Sequence, residues 1–211
     1  MSEENKELEQ SGEEVLAEEA EEKKKDSLES TVYCWAQAVV TAVVGVILLF
    51  TFAVRLISVS GPSMQDTLYT GDRLLVLNAM YCDFQAGDVV VINDYNAELD
   101  DTLVKRIVAV GGQTVDVDFS SGTVYVDGKA LDEPYIKEPT YTPEGVGFPL
   151  TLAEDEVFVM GDNRNHSTDS RDTRLGPVKR GYLQGKALLL LTPGKTPDTE
   201  KADWSRVGVV R

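Results

Sequence analysis

The 211 residues leave room for one ordinary domain with a sizeable core, and a formal charge of −16 argues against nucleic acid, whose phosphates require a basic face. The acidity is uneven: residues 1–30 hold 12 acidic and 4 basic side chains, a net of −8, so the other 181 residues also carry −8. A single histidine, His166, argues against a zinc site, and two cysteines, Cys34 and Cys82, do not make a disulfide framework; no metal or cofactor is expected.

Residues 1–30 are rich in Glu and Lys and poor in aromatic and branched apolar side chains. They cannot bury enough surface to offset chain entropy and are expected to be a disordered, cytoplasmic acidic tail. Residues 31–54 contain no charge, which predicts one transmembrane helix, because at about 1.5 Å per residue the run exceeds a hydrocarbon layer of roughly 30 Å. A cleavable secretory signal has a shorter apolar core and a small-residue site after it; here Arg55-Leu56-Ile57 follows, so a retained anchor in the cell membrane is expected. Lys23, Lys24 and Lys25 precede the span and Arg55 alone follows closely. That bias places the amino terminus inside and residues 55–211 outside.

Beyond the anchor, short β-branched or alternating runs are separated by Gly, Asp and Pro. Strands are predicted at 56–60, 73–78, 88–93, 103–110, 114–118, 123–127, 156–161 and 185–191, with hairpin signals at Gly111-Gly112, Ser120–Gly122 and Asp127-Gly128. The fold class is therefore mainly β: an antiparallel domain behind one N-terminal helix, with a Pro-rich insertion at 133–149.

Three clusters carry possible chemistry. The first is SGPSMQDTL, Ser60–Leu68, where Ser63 is either a turn residue or a nucleophile; a serine hydroxyl attacks an amide only if a base removes its proton. His166, a carboxylate and a lysine all stand as candidates for that base. The second is LVKRIVAV, in which Lys105 alternates with Leu103, Ile107 and Ala109. Buried, it would lose proton affinity and become a general base; on an edge strand, the Lys105-Arg106 pair would merely discourage aggregation. The third is GDNRNHSTDSR, Gly161–Arg171, a strand end dense in donors and acceptors that reads equally as a solvated loop or a site. Its calcium-like string from Asp162 lacks the glycine of an EF-hand turn.

Together and in this order, SGPSM-x-x-TL, GDRLLV, GDVVVIN, LVKRIVAVGG, GDNRNHSTDSR and the closing DWSRVGVVR resemble the type I signal peptidases of bacteria, the compact Gram-positive form in particular. The resemblance covers about Ile57 to Arg211 and leaves the acidic tail unmatched. It implies a β-rich serine endopeptidase with an apolar surface against the lipid bilayer, which removes signal peptides from secretory precursors after a small-x-small motif. Ser63 is then the acylating nucleophile, Lys105 its general base and Ser167 the hydroxyl that orients the lysine. Asp162 and Arg171 become the charge pair bracing the loop, with Gly161, Asn163, Arg164, Asp169 and Ser170 in support. The substrate-lining residues implied are Ile57, Val59, Met64, Leu68, Val91, Leu103 and Val104.

Two departures fall on the nucleophile turn. Asp66 stands where relatives usually have proline, and Gly61 where some have a serine, so the oxyanion would rely on the Ser63 N–H with help from Ser60. Two rivals remain: a self-cleaving Ser-Lys repressor, against which the membrane span speaks, and a non-catalytic membrane-tethered β module, against which Ser63, Lys105 and Ser167 speak jointly.

Overall fold

The computed structural model describes residues 31–93, 102–197 and 199–210, so the acidic tail expected over 1–30 lies outside the described residues. The chain divides between Phe50 and Thr51 into two compact units.

The uncharged run winds into helix α1 (Thr31–Ala53), most of which forms the first unit and whose closing stretch, Leu49–Ala53, takes the wider π form. Its 23 residues are long and apolar enough to cross a membrane. One polar group inside it is satisfied locally, since Thr41 Oγ1 donates to the Gln37 carbonyl at 2.8 Å. The helix ends one residue before the expected boundary, and Val54 and Arg55 already belong to a strand.

Among the described residues the second unit has twelve strands, all paired antiparallel: β1 (Val54–Ser58), β2 (Arg73–Asn78), β3 (Val89–Ile92), β4 (Leu103–Val110), β5 (Thr114–Asp118), β6 (Thr123–Val126), β7 (Lys129–Ala130), β8 (Leu150–Thr151), β9 (Glu156–Met160), β10 (Val178–Lys179), β11 (Leu183–Thr192) and β12 (Gly208–Val209). The larger sheet runs β1-β2-β11-β3-β4-β9-β10, with β12 added to β11; the smaller runs β7-β6-β5-β8. All eight expected strands are present, three of them (β2, β4 and β5) with the expected bounds and five with shifted ends. The four of two residues, β7, β8, β10 and β12, are too short to show a side-chain period.

Both faces of the larger sheet are covered at β3, β4 and β9, which explains why these strands read as continuous rather than alternating apolar runs, whereas β2 and β11 alternate in burial. Along β3, Val89 and Val91 join one core cluster with Val59, Met64, Leu68 and Leu74, while Val90 and Ile92 join another with Ile107, Val157 and Leu183. Strand β4 lies between β3 and β9, so the edge-strand explanation of Lys105-Arg106 does not apply.

The two later hairpin signals hold: Ser120–Gly122 joins β5 to β6, and Asp127-Gly128 joins β6 to β7. Gly111-Gly112 is different. It carries the chain out of the larger sheet into the smaller one, and β4 and β5 do not pair. Gly111 is required for close approach there, because a Cβ would collide with the backbone of Glu154. The insertion at 133–149 follows β7 and returns to β8 through Phe148, whose ring meets Phe119 and Phe158 edge-on at 5.9 Å from each.

Candidate active site

The turn that carries Ser63 is a closed loop fastened at its base. Val59 N donates to Asp72 O at 2.8 Å and Gly71 N to Val59 O at 2.9 Å, so the chain leaves and re-enters the sheet at adjacent points. Inside the loop Met64 and Leu68 are each 1% exposed in the core. Their burial anchors the turn and leaves Ser63, between exposed Pro62 and buried Met64, half-exposed. The Ser63 N–H donates to no group among the described residues.

Lys105 reaches this turn from β4. Its Nζ lies 2.7 Å from Ser63 Oγ, and the residue is 2% exposed. Burial lowers its affinity for a proton, against the opposing carboxylates of Asp169, Glu144 and Asp162, and brings the amine from the usual 10.5 to about 8. The unprotonated amine can then accept the hydroxyl proton that the ammonium could not. Its neighbour Arg106 is equally buried at 1% and is spent on Asp162, through Nε at 2.8 Å and Nη2 at 2.7 Å, with the ring of Tyr135 4.0 Å beneath it.

That pairing corrects one expectation. Asp162 and Arg171 both brace the loop, but not each other: Arg171 binds Asp169 through Nε at 2.9 Å and Nη2 at 2.8 Å. Two adjacent buried ion pairs thus replace the single one expected. Asp162 also accepts from Thr67 Oγ1 at 2.5 Å, and Asn163 donates its N–H to Ser63 O at 3.0 Å and its amide to Pro62 O at 3.1 Å. The nucleophile turn and the loop are therefore one bonded unit. Within it Ser170 Oγ accepts from Val159 N at 3.0 Å, Gly161 N donates to Asp169, and Arg164 reaches out of the loop to Glu133 at 2.6 Å.

Ser167 Oγ is buried and has no hydrogen-bond partner among the described residues. It packs so near the nucleophile that a Cβ on Gly161 would meet both Ser167 Oγ and the Ser63 carbonyl oxygen. Gly161→Ala should therefore lower kcat by about 100-fold through misplacement of the serines, with the far-ultraviolet circular dichroism unchanged. A well-folded variant with wild-type kcat would show that this approach does not matter.

The seven expected lining residues separate. Ile57, Val59, Met64, Leu68, Val91 and Val104 share one cluster, whereas Leu103 packs against the other. Met64, Leu68 and Val91 are closed off beneath the turn and present no surface, so they support the site from below; Ile57 and Leu103 remain partly exposed. Ser60 and His166 are both exposed, and no hydrogen bond ties the side chain of either to the serine. A reading of residue types passed over Thr67, Tyr135 and Glu133 and took Arg106 only as part of an edge-strand charge pair. Only the charge of Arg106 inside an apolar strand signalled a buried partner.

A β-rich scaffold that sets a half-exposed serine hydroxyl against a buried amine is that of a serine hydrolase. The family model described as signal peptidase, peptidase S26, matches residues 32–192, and the chain belongs to that family. It is 35% identical over 181 residues to signal peptidase I of Bacillus amyloliquefaciens, covering 82% of this chain and 94% of the relative. To a probable signal peptidase I-2 of Synechocystis it is 36% identical over 186 residues, covering 85% and 82%. The crystal structure of a signal peptidase I from Enterococcus faecalis matches with 28% identity and a TM-score of 0.41, over 50% of this chain and 97% of that one.

Proposed function

We propose that the chain is a membrane-anchored endopeptidase that removes signal peptides from secretory precursors by a Ser63–Lys105 dyad, cutting after a small-x-small motif. The 2.7 Å approach of a buried amine to Ser63 Oγ carries this reading. Neutral Lys105 takes the hydroxyl proton as Ser63 Oγ attacks the scissile carbonyl carbon, and the developing oxyanion accepts from the Ser63 N–H. The lysine ammonium then gives its proton to the departing amine. Water attacks the acyl-enzyme, its proton passing to Lys105, which returns it to Ser63 Oγ as the ester bond breaks, releasing the signal peptide and restoring the hydroxyl and the neutral amine.

Ser167, buried close to Ser63 with its hydroxyl unpartnered among the described residues, is the acceptor assigned to the ammonium that forms during the reaction. Strand β1 is an edge of its sheet, so an extended precursor segment can add alongside it. Helix α1 is the anchor, and with the amino terminus inside it holds the β domain on the outer face, in the plane where precursors emerge.

The test is to incubate the full chain, in detergent, with a secretory precursor and to sequence the new amino terminus. Cleavage after a small-x-small pattern is expected, and a cut elsewhere overturns the substrate assignment. Because the base works unprotonated, the rate should rise with pH through about 8. A flat profile between about pH 6 and 9 counts against the dyad. His166→Ala should retain activity, whereas its loss would restore a triad.

A further inference from the structure

The insertion at 133–149 behaves as a strap over the loop at 161–176. Arg171 Nη1 donates to Thr142 O at 3.2 Å, Gly145 bridges to Asp172, and Val146 N donates to Arg171 O at 3.1 Å. Glu144 is thereby fixed on both sides against the loop, with its Oε1 3.8 Å from Arg171 Nη2.

Arg171 is already committed to Asp169, Thr142 O and Arg164 O, and the backbone N–H of Asp169 is the hydrogen-bond donor to the Glu144 carboxylate. Glu144 Oε2 is buried with no partner among the described residues. It therefore shares the field of Arg171 without completing a bond to it.

We infer that Glu144 is a positioning residue of the catalytic centre, which governs through the Arg171–Asp169 pair how readily Lys105 is held unprotonated. Charge matching supplies the reason. Around the dyad stand the cations Lys105, Arg106, Arg164 and Arg171 and the carboxylates Glu133, Glu144, Asp162 and Asp169, four of each. The group is neutral overall with Glu144 ionised and Lys105 charged, and neutral again with Glu144 protonated and Lys105 free. The charges facing Glu144 are Asp169, Arg171 and Asp172; those facing Lys105 are Asp169, Glu144, Arg171 and Asp162. Burial, aided by Asp169 and opposed by Arg171, brings Glu144 up to about 7. Its protonation as the pH falls removes a negative charge that favours the ammonium, so the neutral amine persists further towards acid than an isolated lysine would allow.

This inference rests on Lys105 being the base, and the experiment separates the two. With the full-length protein in detergent, kcat/KM is measured across about pH 5.5–9.5. Glu144→Gln should move the midpoint down by about half a pH unit, with roughly 1.5-fold faster processing at about pH 7.5, where Glu144 is ionised in the wild type, and little change at about pH 6. A midpoint that stays or rises overturns the inference. Independently of that variant's folding, the ¹³Cε resonance of Lys105 in the wild type, assigned by its loss in Lys105→Met, should titrate in two steps. The smaller step falls near pH 7, where Glu144 ionises; a single step overturns the coupling whether or not the enzyme is active. Processing by Lys105→Ala would instead sink the dyad itself.

Discussion

Lys105→Met should abolish processing and, at neutral pH, make the protein more stable. The first effect follows from losing the base, which in serine hydrolases costs about four orders of magnitude or more in kcat. The second follows from linkage. The amine titrates near 8 when folded and near its usual 10.5 when unfolded. Below pH 8 both states hold the proton, and the native state bears the whole cost of burying an ammonium. Between about 8 and 10.5 the native state releases its proton first, and the cost fades. Methionine fills similar space without charge, so the gain at pH 7 should be on the order of 3 kcal/mol and should vanish by about pH 10.5. Thermal unfolding of both proteins at the two pH values decides the matter. An unstable variant at pH 7 would mean that the amine contributes more to packing and polar contacts than its burial costs.

Asp162→Ala should be the most damaging single change to the fold near the site. It leaves the Arg106 guanidinium, 1% exposed, without its carboxylate and removes the acceptor of Thr67. Breaking a buried pair from one side costs about 3–5 kcal/mol, because the remaining charge is stranded. The expected result is a shift of the urea midpoint with loss of activity. Replacing both members, Asp162→Leu with Arg106→Met, should recover much of the stability and little of the activity. Equal damage from the double and the single variant would show that the pair itself, rather than the stranded charge, is what the fold needs.

The strand pattern and the serine, lysine and loop motifs were legible in the sequence because each rests on local spacing. The partner of Asp162 was not. Arg171 shares its motif and was the natural choice, whereas Arg106 is 56 residues away and reaches Asp162 only because β4 pairs with β9. Gly111-Gly112 misled for a related reason: two glycines mark a reversal equally well whether the next strand pairs with the last or starts another sheet. Met64, Leu68 and Val91 were assigned to the substrate surface because apolar character does not reveal on which side of a turn a side chain stands. The strap's grip on the loop depends on backbone carbonyls and amides, such as Thr142 O and Val146 N, which carry no residue-type signal at all.

One further bond bears on when this machinery exists. Asp72, fully buried at the base of the nucleophile loop, is held by Arg206 through Nη2 at 2.7 Å and Nη1 at 3.2 Å, and Arg206 Nη2 also grips Thr67 O at 3.0 Å. The loop that presents Ser63 is thus locked by a residue 134 positions later in the chain. Such distant closures form late in folding, since their chain entropy must be overcome before they contribute. A growing polypeptide that has made Ser63 and Lys105 but not yet Arg206 therefore lacks the clamp at the base of that loop.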